Sequence, residues 1–356
     1  ASQAPTTLPL FTAAEVPALC DSKLASLKAA VSQFEQQKIK KNANAAPYLA
    51  EWDKVNAEFR DFAYPLGLLG NVHPDAALRK AADDCEMKTS SVITDIMQNP
   101  KLYAQFKKLK ATDPIDAKLL KDIIEGFEDT GIQLSAEKQK RLKEIFEESN
   151  KLSQDYSNNV RDNKTKLEFT PAELKGLPES YIKALTKNEK GNYLLGFDYP
   201  EYRPFMELAE NDAARKRYQT EFTRRGTEAN LELMKKAIDL RLEVAEIFGQ
   251  KSYADVALKK RMAKNPETVN AFLDDVHSKV VSIEKSDVEE LRQFKAKTLK
   301  QPLDKVEITR WDSGYWAEKL RKEKYSVDQE GLRKYFPVDA SQKWMFGISE
   351  ELYGIK

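Results

Sequence analysis

Two histidines, His73 and His277, are the residues whose type matters most for hydrolytic chemistry, and they stand 204 positions apart. A zinc hydrolase needs ligands that converge on one ion. The H-E-x-x-H helix does this by setting two imidazoles one turn apart, with a glutamate between them to activate water. Neither histidine here has a second one three or four positions away. His73 precedes Pro74 in an expected loop, and His277 follows Asp274 and Asp275 on an expected helix. Both read as surface or capping residues, so neither a metal ligand nor a catalytic residue is assigned, and substrate-binding residues stay unassigned. No G-x-S-x-G elbow occurs. No local pattern joins Cys20 or Cys85 to a histidine for thiol catalysis. Acidic pairs such as Glu147-Glu148 carry no specificity among 57 acids.

Cys20 and Cys85 are the two cysteines. They read either as two buried thiols or as one disulfide tying the first helical segment to the third. A bridge would need an oxidising compartment and would contribute on the order of 2–4 kcal/mol.

The elements that must position these groups are mostly helical. Leu24, Leu27, Val31 and Phe34 recur at helical spacing after Ser22, and helix resumes through Trp52, Val55, Phe59 and Phe62. Pro65 to Pro74 reads as a loop, followed by helix from about Asp75 to Met97. Asn99-Pro100 and Asp113-Pro114 punctuate the next stretch. Ser135 is a good N-cap for a long helix with Leu142, Ile145, Phe146, Leu152 and Tyr156 on one stripe. Thr170-Pro171-Ala172-Glu173 is a capping signal for a short helix, and Tyr193 to Phe197 reads as a strand. Leu231, Met234, Ile238, Leu242, Ala245 and Phe248 form a stripe closed by Gly249, and Asn265-Pro266 opens a helix carrying Val269, Phe272, Val276 and Val280. The expected fold is mainly α, a multi-helix lobe with a small β hairpin or sheet near 165–200. The expected divisions are an extended segment (1–18), a helical region (19–163), a β-containing insert (164–200) and a second helical region (201–356).

Composition excludes several functions. Lys+Arg (58) nearly cancels Asp+Glu (57), so no basic field gathers nucleic acid or anionic lipid. No apolar run approaches the roughly 18 residues of a membrane span. With 13 glycines and no phosphate-cradling motif, a nucleotide fold has no candidate loop. Ala1-Ser2-Gln3-Ala4-Pro5 is compatible with signal-peptide cleavage or a trimmed chain, so a periplasmic or secreted location is expected, with the cytoplasm as the alternative.

The last fifty residues are dense in aromatics: Trp311, Tyr315, Trp316, Tyr325, Tyr335, Phe336, Trp344, Phe346 and Tyr353. Packing is the expected role, and lining of a peptide groove is the alternative. The order Trp311-Asp312-Ser313-Gly314-Tyr315-Trp316, then Tyr335-Phe336-Pro337-Val338, then Leu352-Tyr353-Gly354-Ile355, carries more than composition. It resembles the stretch upstream of the zinc site in the thimet oligopeptidase, neurolysin, oligopeptidase A and dipeptidyl carboxypeptidase family. The resemblance runs from roughly residue 65 onward. It takes in Asp122 to Leu134, Leu152 to Asn159, Arg215, Asn230, Arg241 and Ala245, then Ser252 to Asp255 and Arg261-Met262-Ala263. It departs at Ser313 to Trp316, where many members carry two adjacent tyrosines.

The resemblance implies a helical, bowl- or clam-shaped zinc peptidase whose channel admits short peptides. In that family the H-E-x-x-H helix and the third zinc ligand lie downstream of the matched motifs. The resemblance therefore implies one channel wall and the lead-in to a catalytic half, with Trp311, Asp312, Tyr315, Tyr335, Phe336 and Pro337 as structural motif residues. On this basis the chain is expected to be a fragment (nicked, truncated or incompletely sequenced). It would be inactive alone, hold no cofactor itself, and partner the zinc-bearing C-terminal half and short peptides. The competing expectation is a stand-alone helical peptide-binding or scaffold protein, a non-catalytic relative.

Overall fold

The structure, a computed structural model, describes residues 9–326 and 329–355; the first eight residues of the expected extended segment lie outside the described residues. The fold is mainly α. The first stretch comprises α1 (Val16–Glu35), a two-residue strand β1 (Ala43–Asn44), α2 (Ala46–Val72), α3 (Ala76–Met97), α4 (Pro100–Phe106), β2 (Leu109–Lys110), α5 (Pro114–Asp129) and α6 (Ala136–Arg161). β1 and β2 pair in parallel, Ala43 opposite Leu109. Side-chain caps cut this stretch into helices. Asp75, Asn99, Asp113 and Ser135 each accept a backbone N–H from the first turn of α3, α4, α5 and α6. Each such cap contributes about 1 kcal/mol.

The core of this region gathers Phe34, Leu49, Phe62, Leu102, Phe106 and Phe127. Phe34 stacks on Phe106 at 5.2 Å and meets Trp52 at 5.6 Å. Cys20 on α1 and Cys85 on α3 are joined in a disulfide.

One sequence expectation fails here. Pro65 to Val72 is not loop: α2 runs through Pro65 to Val72. The reason is packing. Leu66 and Leu69 continue the buried face of Phe59 and Phe62, each contributing about 1.5–3 kcal/mol. Together they offset the roughly 3 kcal/mol an interior proline costs a helix. His73 then caps α2 at its carboxyl end.

The chain continues through β3 (Leu167–Phe169), a 3₁₀ turn Pro171–Leu174, α7 (Glu179–Ala184), β4 (Thr186–Lys187), β5 (Tyr193–Leu195), α8 (Tyr199–Leu208) and α9 (Asp212–Thr223). The sheet is antiparallel in the order β3-β5-β4, with Leu167 opposite Leu195 and Thr186 opposite Leu194. Thr170 and Glu173 form the expected capping box. Next come α10 (Thr227–Ile247) and α11 (Tyr253–Leu258), then α12 (Pro266–Leu299), α13 (Ser313–Tyr325), α14 (Gln329–Leu332) and α15 (Val338–Tyr353).

The chain divides into two compact units that do not follow the four consecutive segments read from sequence. The first holds residues 1–162 and 226–269, the second 163–225 and 270–356. The discontinuity comes from α10, whose Leu240 and Val244 pack on Leu142, Ile145 and Leu152 of α6. The stripe read from the sequence of α10 is only partly buried: Leu231, Met234, Ile238 and Leu242 are exposed, while Ala245 is buried and Phe248 packs against the α6 cluster. Periodicity identified the helix, but both of its faces carry apolar residues. Among the described residues, no helix is long and apolar enough to cross a membrane.

Phe34→Ala removes a fully buried ring from the aromatic cluster of the first unit. It is expected to destabilise that unit by about 3–5 kcal/mol. Ile115→Ala, at an exposed position, is expected to change stability by less than about 0.5 kcal/mol. Urea titrations of the two variants check the contrast.

Candidate functional site

The second unit carries the most structured polar constellation, centred on Arg215, Asp312 and Tyr315. Asn211 caps α9 by accepting the Ala214 N–H at 2.9 Å, which sets Arg215 on the first turn. The Arg215 side chain is buried. Its guanidinium donates to the Ala209 carbonyl at 2.6 Å and to Asp212 Oδ1 at 2.9 Å, and lies 4.1 Å from the centre of the Tyr315 ring. Burial pulls its pKa below the usual arginine range, against the opposing pull of Asp212, Tyr315 and Asp312. The base stays protonated and the ring face supplies part of the lost solvation.

Asp312, 1% exposed, precedes α13. Its carboxylate accepts from the Thr309 N–H at 2.7 Å and from Lys295 Nζ on α12 at 2.5 Å. Lys295 Nζ also donates to the Glu307 carbonyl at 2.8 Å. Trp311 Nε1 donates to Asp212 at 3.2 Å, and Trp316 packs edge-on against Tyr315 and Phe294. These contacts fix α9, α12 and α13 to one another, although Arg215 Nε, Thr309 Oγ1 and Trp316 Nε1 are buried without a hydrogen-bond partner among the described residues. It offers no free base or nucleophile.

Beside it lies an open groove of 810 Å³ between the Gly176–Leu208 stretch and α13. Leu177, Tyr181, Ala184, Pro204 and Leu208 form apolar walls, while Arg203, Glu207 and Lys322 are charged lining residues. Gly176 has φ +96°, and a Cβ there would meet the Leu208 carbonyl at 2.3 Å. Only glycine lets these two segments approach so closely. Pro204 has no N–H, so the Pro200 carbonyl one turn earlier lacks its helical donor. The groove thus combines apolar surface, a backbone acceptor and cations, which suits an extended peptide. The sequence reading missed Tyr181, Arg203 and Lys295. The Pro200-x-x-x-Pro204 pair on a helix was the one visible signal.

The motif residues separate into two sets. Trp311 is half-buried, and Asp312, Tyr315 and Trp316 are buried in the constellation. Tyr335, Phe336 and Pro337 are exposed. Trp344, Phe346 and Tyr353 on α15 are exposed as well, as is Tyr325. Phe272, Leu273, Val280 and Ile283 on α12 present a further solvent-facing apolar strip. Packing within these residues accounts for only part of the aromatic segment.

The histidines do not build a metal centre. His73 Nδ1 accepts the Asp75 N–H at 3.1 Å in the first unit. His277 is exposed on α12 in the second, where neighbouring Asp275 pairs with Lys279 at 2.6 Å. Among the described residues, no group of three or more His, Cys, Asp or Glu is placed to hold a metal ion. The donor sets present therefore do not fit a zinc-hydrolase site.

Comparison with known proteins gives the class and then the family. Oligopeptidase A of Salmonella typhimurium is 32% identical over 342 residues, covering 88% of this chain and 49% of the relative. Oligopeptidase A of Escherichia coli gives the same identity and coverage. Saccharolysin of Saccharomyces cerevisiae is 27% identical over 320 residues, 85% of this chain and 45% of the relative. The chain is thus related to peptidases, and it spans about half the length of the curated relatives it matches. Residues 205–356 match the model of Peptidase family M3. Over those residues the chain is similar to this peptidase family.

Burial pushes the phenols of Tyr181 and Tyr218 above the ordinary tyrosine value of about 10. They donate to the carbonyls of Glu201 and Gly196, both at 2.5 Å. The folded-state value is the higher one, so the stability these groups contribute is fully present below about pH 10 and is lost as pH rises above it. In a phenolate absorbance titration, two tyrosines are expected to ionise only as the second unit unfolds. Tyr181→Phe/Tyr218→Phe should remove that late phase.

Proposed function

We propose that residues 1–356 form the non-catalytic N-terminal portion of a zinc metallopeptidase that hydrolyses short peptides. The hydrolytic zinc centre comes from a C-terminal catalytic half, and the chain supplies one wall of the substrate channel. Zinc, when bound there, polarises the scissile carbonyl and activates water; no residue of this chain takes part in that chemistry.

The observation that carries this reading is the amount of apolar surface left to solvent on regular helices of the second unit. α12 is 34 residues long, about 50 Å at 1.5 Å per residue, and much of one side is Phe272, Val276, Val280 and Ile283. α15 adds Trp344, Phe346, Leu352 and Tyr353. Contiguous apolar faces of this extent mark interfaces rather than ordinary surface. That the matched region covers about half of the relatives is consistent with this reading.

The groove beside α13 favours a second reading, in which the chain holds peptides without cutting them. The two readings part on the apolar faces, which a self-sufficient binding protein would have no reason to expose.

The test pairs this chain with its C-terminal half and follows cleavage of a quenched short peptide together with bound zinc. Turnover and about one zinc per complex are expected only with both halves present. Chelator-sensitive turnover by residues 1–356 alone would overturn the proposal. A monodisperse chain that binds peptide saturably and ignores the other half would favour the binding-protein reading. Phe272→Glu/Ile283→Glu is expected to weaken association of the halves by roughly tenfold or more, about 1.4 kcal/mol, while leaving the circular dichroism of this chain unchanged.

A further inference from the structure

We propose that the Cys20–Cys85 disulfide is a permanent clamp on the amino-terminal half of α1, and that the chain matures in a thiol-oxidising compartment outside the cytoplasm. This goes beyond the peptidase reading and does not rest on it.

α1 is held to the first unit in two different ways. At its carboxyl end, Gln105 donates to the carbonyls of Glu35 and Gln37 at 2.9 and 2.7 Å. Asn99 donates to the Glu35 carboxylate at 2.9 Å, and Phe34 sits in the aromatic cluster with Tyr48, Trp52 and Phe106. These ties are buried or half-buried and mutually reinforcing.

The amino-terminal end has no comparable set. Glu15 at the N-cap makes no side-chain cap to the helix; its carboxylate instead accepts from Thr12, just upstream. The ion pair that links this end to the neighbouring helix, Lys88 to Asp21, is largely exposed, with side chains 50% and 64% accessible. Such pairs contribute little. Val16, Leu24 and Leu27 are buried, Leu19 packs beside them and Phe11 meets Phe62 at 6.1 Å, so this end is held by apolar packing without the buried hydrogen bonds of the carboxyl end. The covalent bond falls at the end that lacks those hydrogen bonds. Cys20 occupies the buried stripe between Val16 and Leu24, and Cys85 follows Ala82 on the buried face of α3, with Cα atoms 5.9 Å apart.

Within these 356 residues there is one possible pairing. The chain has two cysteines and both are in this bond. Its formation removes two thiol protons and two electrons. A protein disulfide of the dithiol–disulfide oxidoreductase class accepts the electrons through a mixed disulfide and leaves as a dithiol. Such oxidants act in the periplasm, the secretory pathway and the extracellular space, whereas cytosolic thiols are kept reduced. Cys20 is 0% and Cys85 4% exposed. A soluble reductant reaches neither sulfur until α1 opens, which distinguishes a clamp from a redox switch.

The test has two arms. First, the protein is quenched with an alkylating reagent in its source cells, denatured without reductant and weighed intact. No alkyl adduct is expected, and two adducts on the bulk of the protein would overturn the proposal. Second, amide hydrogen exchange is compared between the wild type and Cys20→Ser/Cys85→Ser. Amides of residues 16–27 are expected to exchange faster by roughly tenfold or more, with residues 28–35 and α6 unchanged. Uniform acceleration across the first unit, or none in α1, would overturn the clamp. If the double variant does not fold, wild-type protein is held with dithiothreitol under native conditions instead. Protection of residues 16–27 should then fall in step with the appearance of thiols, and loss of thiol pairing without loss of that protection would overturn the proposal.

Discussion

The seam between α6 and α10 is the contact on which the first unit depends. Leu142, Ile145 and Leu152 meet Leu240 and Val244, each buried side chain contributing about 1.5–3 kcal/mol. At one end Asn159 donates to Asn230 at 2.8 Å, and Asn230 in turn donates to the Tyr156 carbonyl at 3.2 Å. Asn230 is 4% exposed, so leaving its amide unpaired would cost about 1–3 kcal/mol. Gly226 opens the helix at φ +67°, where a Cβ would lie 2.9 Å from the Asn230 amide nitrogen. The seam therefore demands a glycine, an asparagine pair and an apolar stripe in fixed register. The partly exposed ion pair of Arg141 with Glu243 is secondary by comparison. Residues 163–225 leave the first unit and the chain returns to it at 226. The entropic cost of closing so long an excursion grows only logarithmically with its length, so five well-packed aliphatic side chains suffice to bring it back.

That return explains where sequence reasoning succeeded and where it stopped. Helices announced by a cap were legible because the signal is local: Asp75, Asn99, Asp113 and Ser135 each sit next to the backbone groups they satisfy. The short strand Tyr193–Leu195 was legible for the same reason. Pro65 misled, because a proline is a local cost and the leucines that outweigh it act through α3. The stripe of α10 misled in another way. Leu231, Met234, Ile238 and Leu242 are spaced as a core face, yet Leu240 and Val244 on the other side are the ones that meet α6. Period fixes the helix; only its neighbours decide which face is covered. The division into consecutive segments differs from the two compact units on the same point, since nothing local marks residues 226–269 as belonging with α6.

The site shows a related separation. Arg215, Asn230 and Asp312 are among the residues on which the sequence resemblance rests, and all three are buried polar residues. A buried charge tolerates few replacements, because removing one partner leaves the other unsolvated at a cost of several kcal/mol. Lys295 was invisible in the sequence for that reason: its importance lies in facing Asp312 across α12 and α13.

The exposed aromatics complete this logic. Tyr335, Phe336, Trp344 and Tyr353 belong to or adjoin the shared motifs, yet they bury little surface here. A large aromatic side chain gains its stabilisation by leaving water, so an ordered run of them on a helix exterior is costly for solubility unless something covers it. Buried motif residues such as Asp312 and Tyr315 are explained by contacts within this chain. The exposed ones are not, and the same sequence pattern holds both. The buried set is accounted for by the contacts that fix α9, α12 and α13 to one another, whereas no contact within the described residues accounts for the apolar faces of α12 and α15; the proposed function assigns those faces to a partner.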